Sequence, residues 1–178
     1  MITLITGPMF CGKTTELIRR LTRAKIAGKN VILLRPAIDT RDHLTHSRLS
    51  HSIEEKFIDE TEPLSSSELF SYDVIGIDEG QFFNDLKFLV ETFTKWGKTV
   101  VIAGLNGTSE QKPFQPILDL IPIAEEIIKL NSVCMKCGSD YGTFTSYKGN
   151  DKDSDIKVGD EHEYEALCRI CLDKKMIV

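Results

Sequence analysis

ITLITGPMFCGKTTELIRR, residues 2–20, runs an apolar strand into a glycine-bounded loop and then into a helix-like stretch. Within it, GPMFCGKT at residues 7–14 fits the phosphate-binding loop pattern G-x-x-x-x-G-K-[ST], in the strand-to-helix position that the pattern requires. Backbone N–H groups of such a loop point inward and cradle phosphates, assisted by the positive end of the following helix. Lys13 is placed to reach the terminal phosphates and the Thr14 hydroxyl to ligate Mg²⁺. Alone, the pattern predicts a nucleoside triphosphate site and leaves its purpose open.

Outward from the loop, residues 13–27 read as a helix, with Leu17, Ile18, Leu21, Ala24 and Ile26 near helical spacing and Gly28 as its stop. VILLR at 31–35 is a buried-type strand ended by Pro36. Residues 38–52 carry scattered charges, three histidines and no apolar period, and read as a surface loop. A short strand is expected at 55–58 and a short serine-opened helix at 66–70. VIGID at 74–78 is another buried strand. Asn84 is expected to cap a helix reaching about Trp96, with Leu86, Leu89, Val90 and Phe93 on one face. TVVIA at 99–103 and residues 126–130 supply the last strands of the series. Apolar strands alternating with helices predict an α/β fold, a mostly parallel sheet covered on both faces. The rhythm stops after about Leu130, where cysteine pairs bracket an acidic stretch. The chain is therefore divided into an α/β nucleotide-binding domain at 1–130 and a smaller domain at 131–178.

The 178 residues suit such an arrangement and bury a sizeable core. A net charge of −5 with no basic run argues against a protein built to grip nucleic acid. No apolar stretch approaches the roughly 20 residues that span a membrane, and the N-terminus reads as a strand and loop rather than a signal peptide. A cytoplasmic location is the expectation. Five cysteines in such a compartment point to metal or catalysis before disulfides.

Asp78 and Glu79 close the string VIGIDE. In phosphate-loop enzymes an acid at the tip of a neighbouring strand helps hold Mg²⁺, which fits Asp78. Glu79 follows at the carboxyl end of the sheet, where open α/β sheets bind ligands, and a carboxylate there can take the proton of an attacking group. The alternative is a pair of solvated acids opening a loop. Cys134-x-x-Cys137 and Cys168-x-x-Cys171 offer four thiolates, the complement of a closed, structural zinc site. Their 30 intervening residues exceed the 15–20 or so of a compact zinc ribbon, so something larger is being closed. Cys11 lies within the phosphate loop near a helix start, a place where a thiol's pKa can be lowered; the simpler reading is that a small residue is wanted there.

These elements, in this order, resemble the type II thymidine kinases, the cytosolic and poxviral type, over nearly the whole chain. The matching strings are GPMFCGKTTELIRR at 7–20, DTR at 39–41, VIGIDEGQFF at 74–83, KPF at 112–114, KLNSVCMKCG at 129–138 and CRIC at 168–171. The resemblance implies a P-loop (RecA-like) core with a zinc-bearing lasso, and transfer of the ATP γ-phosphoryl group to the 5′-hydroxyl of thymidine. It implies ATP and phosphate contacts from Gly7, Pro8, Met9, Phe10, Cys11, Gly12, Lys13, Thr14, Arg41, Asp78 and Gln81. Mg²⁺ falls to Thr14 and Asp78, zinc to the four cysteines, and the catalytic base to Glu79. On the nucleoside side it implies Asp39 at the 3′-hydroxyl, Met9, Leu105, Phe82 and Phe114 around the thymine, and Gly159 and Tyr164 from the lasso. A homotetramer inhibited by dTTP is implied too. LNGTSEQKPF at 105–114 departs from the family's common LDGTFQRKPF: Ser109 replaces an aromatic, and Asn106 and Gln111 each remove a charge. A broader deoxynucleoside kinase is therefore one rival; a zinc-bearing P-loop ATPase acting on nucleic acid is another, disfavoured by the acidic stretch 151–165.

Overall fold

The computed structural model describes residues 1–38, 53–59, 68–149 and 162–176. Six strands among the described residues form one parallel sheet, the four central ones largely apolar and the two at its edges mixed: β1 (Ile2–Gly7), β2 (Val31–Pro36), β3 (Glu54–Ile58), β4 (Val74–Ile77), β5 (Thr99–Leu105) and β6 (Glu126–Lys129). Their spatial order is β3-β2-β4-β5-β1-β6, every pairing parallel. Helix α1 (Lys13–Ile26) lies on one face and α2 (Leu86–Lys95) on the other, so residues of the central strands β1, β2, β4 and β5 are buried whichever way they point. Leu4, Leu34, Ile77 and Ile102 meet Leu86, Val90 and Phe93 of α2, while Ile5, Leu33, Val101 and Ala103 meet Leu17, Ile18 and Leu21 of α1. Neighbouring residues in one strand thus serve opposite cores, which is why these strands read as apolar runs rather than alternating ones.

The helix after β4 starts differently from the sequence expectation. Asn84 is exposed, α2 begins at Leu86 with Asp85 at its boundary, and no side chain caps it. A single 3₁₀ turn at Gly80–Phe82 intervenes, and the Leu86 N–H reaches the Phe83 carbonyl at 3.3 Å. Burial of Phe83 and Leu86 fixes the entry in place of a cap. The short helix expected at 66–70 is a 3₁₀ turn at Glu68–Ser71, with its two serines outside the described residues, as is nearly all of the expected loop at 38–52.

After the short helix α3 (Gln115–Leu118) and β6, the chain builds an antiparallel pair, β7 (Phe144–Tyr147) and β8 (Tyr164–Leu167), and a last helix, α4 (Arg169–Met176). Sequence pattern had indicated none of these three. A small separate cluster of Cys134, Leu167, Cys168 and Leu172 lies beneath them. The Lys175 ammonium ties α4 to the strand pair by donating to Ser146 Oγ (2.9 Å), the Tyr147 carbonyl (2.6 Å) and Glu165 Oε1 (2.8 Å).

Candidate active site

The parallel register brings the carboxyl ends of β1 and β4 to the same edge, one strand apart across β5. Leaving β1, the chain passes so close to residue 130 that a Cβ on Gly7 would stand 2.4 Å from the Leu130 carbonyl oxygen; only glycine fits. Gly12 ends the loop in the left-handed region (φ 82°), and no side chain caps α1. With glycine at the N-cap, no capping side chain stands between the start of this 14-residue helix and the loop, which leaves room for a phosphate. Lys13 is buried and donates to the Pro8 carbonyl at 2.7 Å. Phe10 has φ 64° and is exposed. Cys11 is half-buried, and burial pushes its thiol up against the lowering influence of Lys13. The position therefore does not activate the thiol, contrary to the helix-start argument.

The Thr14 hydroxyl donates to both Asp78 carboxylate oxygens at 3.1 Å. Asp78 is fully buried; desolvation and the Glu79 charge raise its carboxyl from 3.8 to about 6, against the opposing Thr14 hydrogen bond. A hydroxyl and a buried carboxylate in contact form a hard oxygen donor set of the kind that Mg²⁺ takes, and a cation there would offset the burial. Glu79 turns the chain off the sheet in the left-handed region (φ 49°), and its N–H donates to Asp78 Oδ1 at 3.0 Å. Gln81 is buried beside it, donating from Nε2 to Glu79 Oε2 at 2.5 Å and accepting from the Leu105 N–H at 2.9 Å. Sequence reasoning overlooked Arg35: it is buried at the end of β2, 3.7 Å from Glu55, and its charge partly offsets the rise at Asp78. The signal available was an arginine at the carboxyl end of an otherwise apolar strand.

Thr145 was overlooked as well. It lies buried in β7, and its Oγ1 accepts the Met9 N–H at 3.0 Å, joining the phosphate loop to the cysteine-bearing segment. A cleft of about 260 Å³ opens beside this junction, bounded by Pro8, Asn106, Thr108, Gln111, Lys129 and Phe144. Of the nucleoside contacts expected from the resemblance, none that is described lines it. Met9 and Phe82 are half-buried, Phe114 packs on the main core, and Tyr164 is buried with its ring 5.4 Å from that of Tyr147. Leu105 ends β5 next to Gln81. Asp39, Arg41 and Gly159 lie outside the described residues.

All five cysteines are free thiols, and four of them converge. The Sγ atoms of Cys134, Cys137, Cys168 and Cys171 lie within 4.8 Å of one another, with Cys137 and Cys168 at 3.7 Å. Tetrahedral Zn–S bonds of about 2.3 Å place sulfurs about 3.8 Å apart, so the cluster suits zinc. Burial pushes Cys171 up to about 12; at Cys134 burial is outweighed by backbone N–H groups from 168, 137 and 136, which bring it down to about 6. Amide donors aimed at sulfur favour the thiolate, and a cation relieves the crowding of four such groups.

Compared with known proteins, the chain matches the family model described as thymidine kinase over residues 1–172. The chain belongs to the thymidine kinase family. It is 42% identical over 180 residues to the thymidine kinase of Choristoneura fumiferana entomopoxvirus, covering 97% of this chain and 96% of that one. It is 39% identical over 178 residues to the cytosolic thymidine kinase of Homo sapiens, covering 98% of this chain and 74% of the relative. The thymidine kinase of Vaccinia virus (strain Western Reserve) is 39% identical over 175 residues, at 96% and 95% coverage. The α/β fold that the resemblance implied, a parallel sheet flanked by helices, is the fold observed. Among the described residues of this thymidine kinase family member, no helix is long and apolar enough to cross a membrane.

Proposed function

We propose that this chain transfers the γ-phosphoryl group of ATP to the 5′-hydroxyl of thymidine, giving dTMP for nucleotide salvage. The carrying observation is the placement of Lys13 and the uncapped start of α1 at the same sheet edge as the Thr14–Asp78 contact and Glu79. Phosphoryl transfer is catalysed largely by positioning and charge neutralisation, and these groups serve both.

The loop amides of residues 7–14 and the Lys13 ammonium hold the ATP phosphates. Thr14 and Asp78 would hold Mg²⁺, which would neutralise phosphate charge. Glu79 accepts the proton of the 5′-hydroxyl as its oxygen bonds to the γ-phosphorus, and the bond from phosphorus to the bridging oxygen breaks with its electron pair leaving on ADP. Cys134, Cys137, Cys168 and Cys171 would hold a structural zinc that pins the 131–178 domain together beside the nucleoside, with the 1–130 domain carrying ATP. Asp39, Arg41, Met9, Leu105, Phe82, Phe114, Gly159 and Tyr164 keep the roles that the resemblance gives them. The protein works in the cytoplasm as a homotetramer under dTTP feedback.

A second reading is a broader deoxynucleoside kinase. Ser109 is a small, half-buried residue in the loop bounding the open cleft, where the resemblance leads one to expect an aromatic. Mg²⁺-dependent transfer of labelled phosphate from ATP to thymidine, deoxyuridine and deoxycytidine tests both readings. Transfer to thymidine foremost supports the first, and comparable rates on all three favour the second. No transfer by folded, zinc-loaded protein removes both.

A further inference from the structure

We propose that Gln81 is a positioning residue for Glu79 rather than a ligand of the ATP phosphates. The inference rests on the role of Glu79 given above. Gln81 sits in the 3₁₀ turn immediately after β4, buried, with its side chain running back toward the tip of β5. A backbone N–H can only donate, so the Leu105 N–H at 2.9 Å fixes which end of the amide is oxygen. The amino end must then face the Glu79 carboxylate, where it donates at 2.5 Å. Turning the amide over would set Nε2 against the Leu105 N–H and the oxygen against a carboxylate, two repulsive contacts for two lost bonds.

The space for this bridge comes from Gly104. A Cβ there would stand 3.0 Å from Gln81 Oε1 and 2.4 Å from Ile117 Cδ1. The bridge also has a fixed far end: Leu105 pairs in register with Gly7, the first residue of the phosphate loop. Glu79 is thereby tied, through one amide and one strand pairing, to the strand end that launches the loop. This sets the base's position relative to the ATP grip, which is where small misplacements cost rate. Glu79 needs such support, because its own backbone occupies the left-handed region, which a non-glycine residue seldom adopts.

Steady-state kinetics on Gln81→Met, Gln81→Glu, Glu79→Gln and the double variant Gln81→Met/Glu79→Gln test the proposal, with wild type alongside and ATP affinity measured by equilibrium binding. Gln81→Glu keeps the shape and the acceptor for Leu105 and, when ionised, sets a repelling carboxylate against Glu79 in place of the donor, so it holds the test open if Gln81→Met folds poorly. Both Gln81 variants are expected to lower kcat by about 10–100-fold, the usual effect of losing a partner that orients a reacting group. In the charge-neutral Gln81→Met variant, the ATP dissociation constant and the KM values should stay within about threefold. In the Glu79→Gln background, adding Gln81→Met should cost no more than about twofold, since a residue acting through Glu79 has nothing left to act on. Weakened ATP binding, or losses that multiply in both backgrounds, overturn the proposal in favour of phosphate contact. Unchanged kcat in the Gln81 variants overturns it outright. An inactive wild type would instead strike the thymidine kinase reading itself.

Discussion

Asp78 sits at the tip of β4 with its side chain out of water, and burial together with the Glu79 charge lifts its carboxyl from 3.8 to about 6. The native state then binds a proton more tightly than the unfolded chain between those two values, so unfolding free energy falls as pH rises through about 4 to 6 and the full cost is present above it. At 1.4 kcal/mol or so per pKa unit, the cost is of the order of 1–3 kcal/mol. Asp78→Asn is therefore expected to abolish phosphoryl transfer while raising the melting temperature at pH 8 without Mg²⁺ or nucleotide, the gain disappearing below about pH 4. Thermal melts of the two proteins across pH check it; an equal or lower melting temperature at pH 8 contradicts it. Legibility in the sequence followed the same division between local and distant. Lys13, Thr14, Asp78 and Glu79 were readable because their chemistry is tied to short strings of fixed spacing. Arg35, Thr145 and the two-ended bond of Gln81 were not, since each matters only for what the fold brings against it.

Among the elements, the central strands were legible because burial on both faces makes them apolar throughout, a signal that needs no partner to interpret. β7, β8 and α4 lack it: α4 has no continuous apolar stripe, and Lys175 and Glu165 do work there that a hydrophobic pair does elsewhere. Glu165 is buried and ion-paired at 2.8 Å to Lys175, which also satisfies Ser146 and the Tyr147 carbonyl. Lys175→Met strands that carboxylate and is expected to cost about 3 kcal/mol within this unit. The measurable consequence is faster zinc loss to a chelator, with the melting of the parallel sheet little changed. Zinc release as slow as wild type would contradict it. The missed entry of α2 has a related cause, for the burial of Phe83 and Leu86 replaces the cap that Asn84 seemed to offer.

At the scale of the whole molecule, the cysteine-bearing unit has, among the described residues, a core of a few buried side chains, whereas the sheet has two extensive ones. Metal analysis is expected to find about one zinc per chain, as one four-thiolate cluster dictates. Stripping it should unfold the smaller unit and leave sheet and helix signal from the larger one. Activity should fall with it, because Met9 of the phosphate loop loses its Thr145 acceptor. Full activity after complete zinc removal would show the two units to be independent.

That one hydrogen bond spans 136 positions of sequence. Its donor leaves the ribosome well before its acceptor, roughly 7–27 s earlier at 5–20 residues per second. β1 meanwhile waits for β5 and β6, the strands that flank it, both made long after it. A segment made early is thus finished late, and a nascent chain cannot close this junction at the phosphate loop until β7 has emerged.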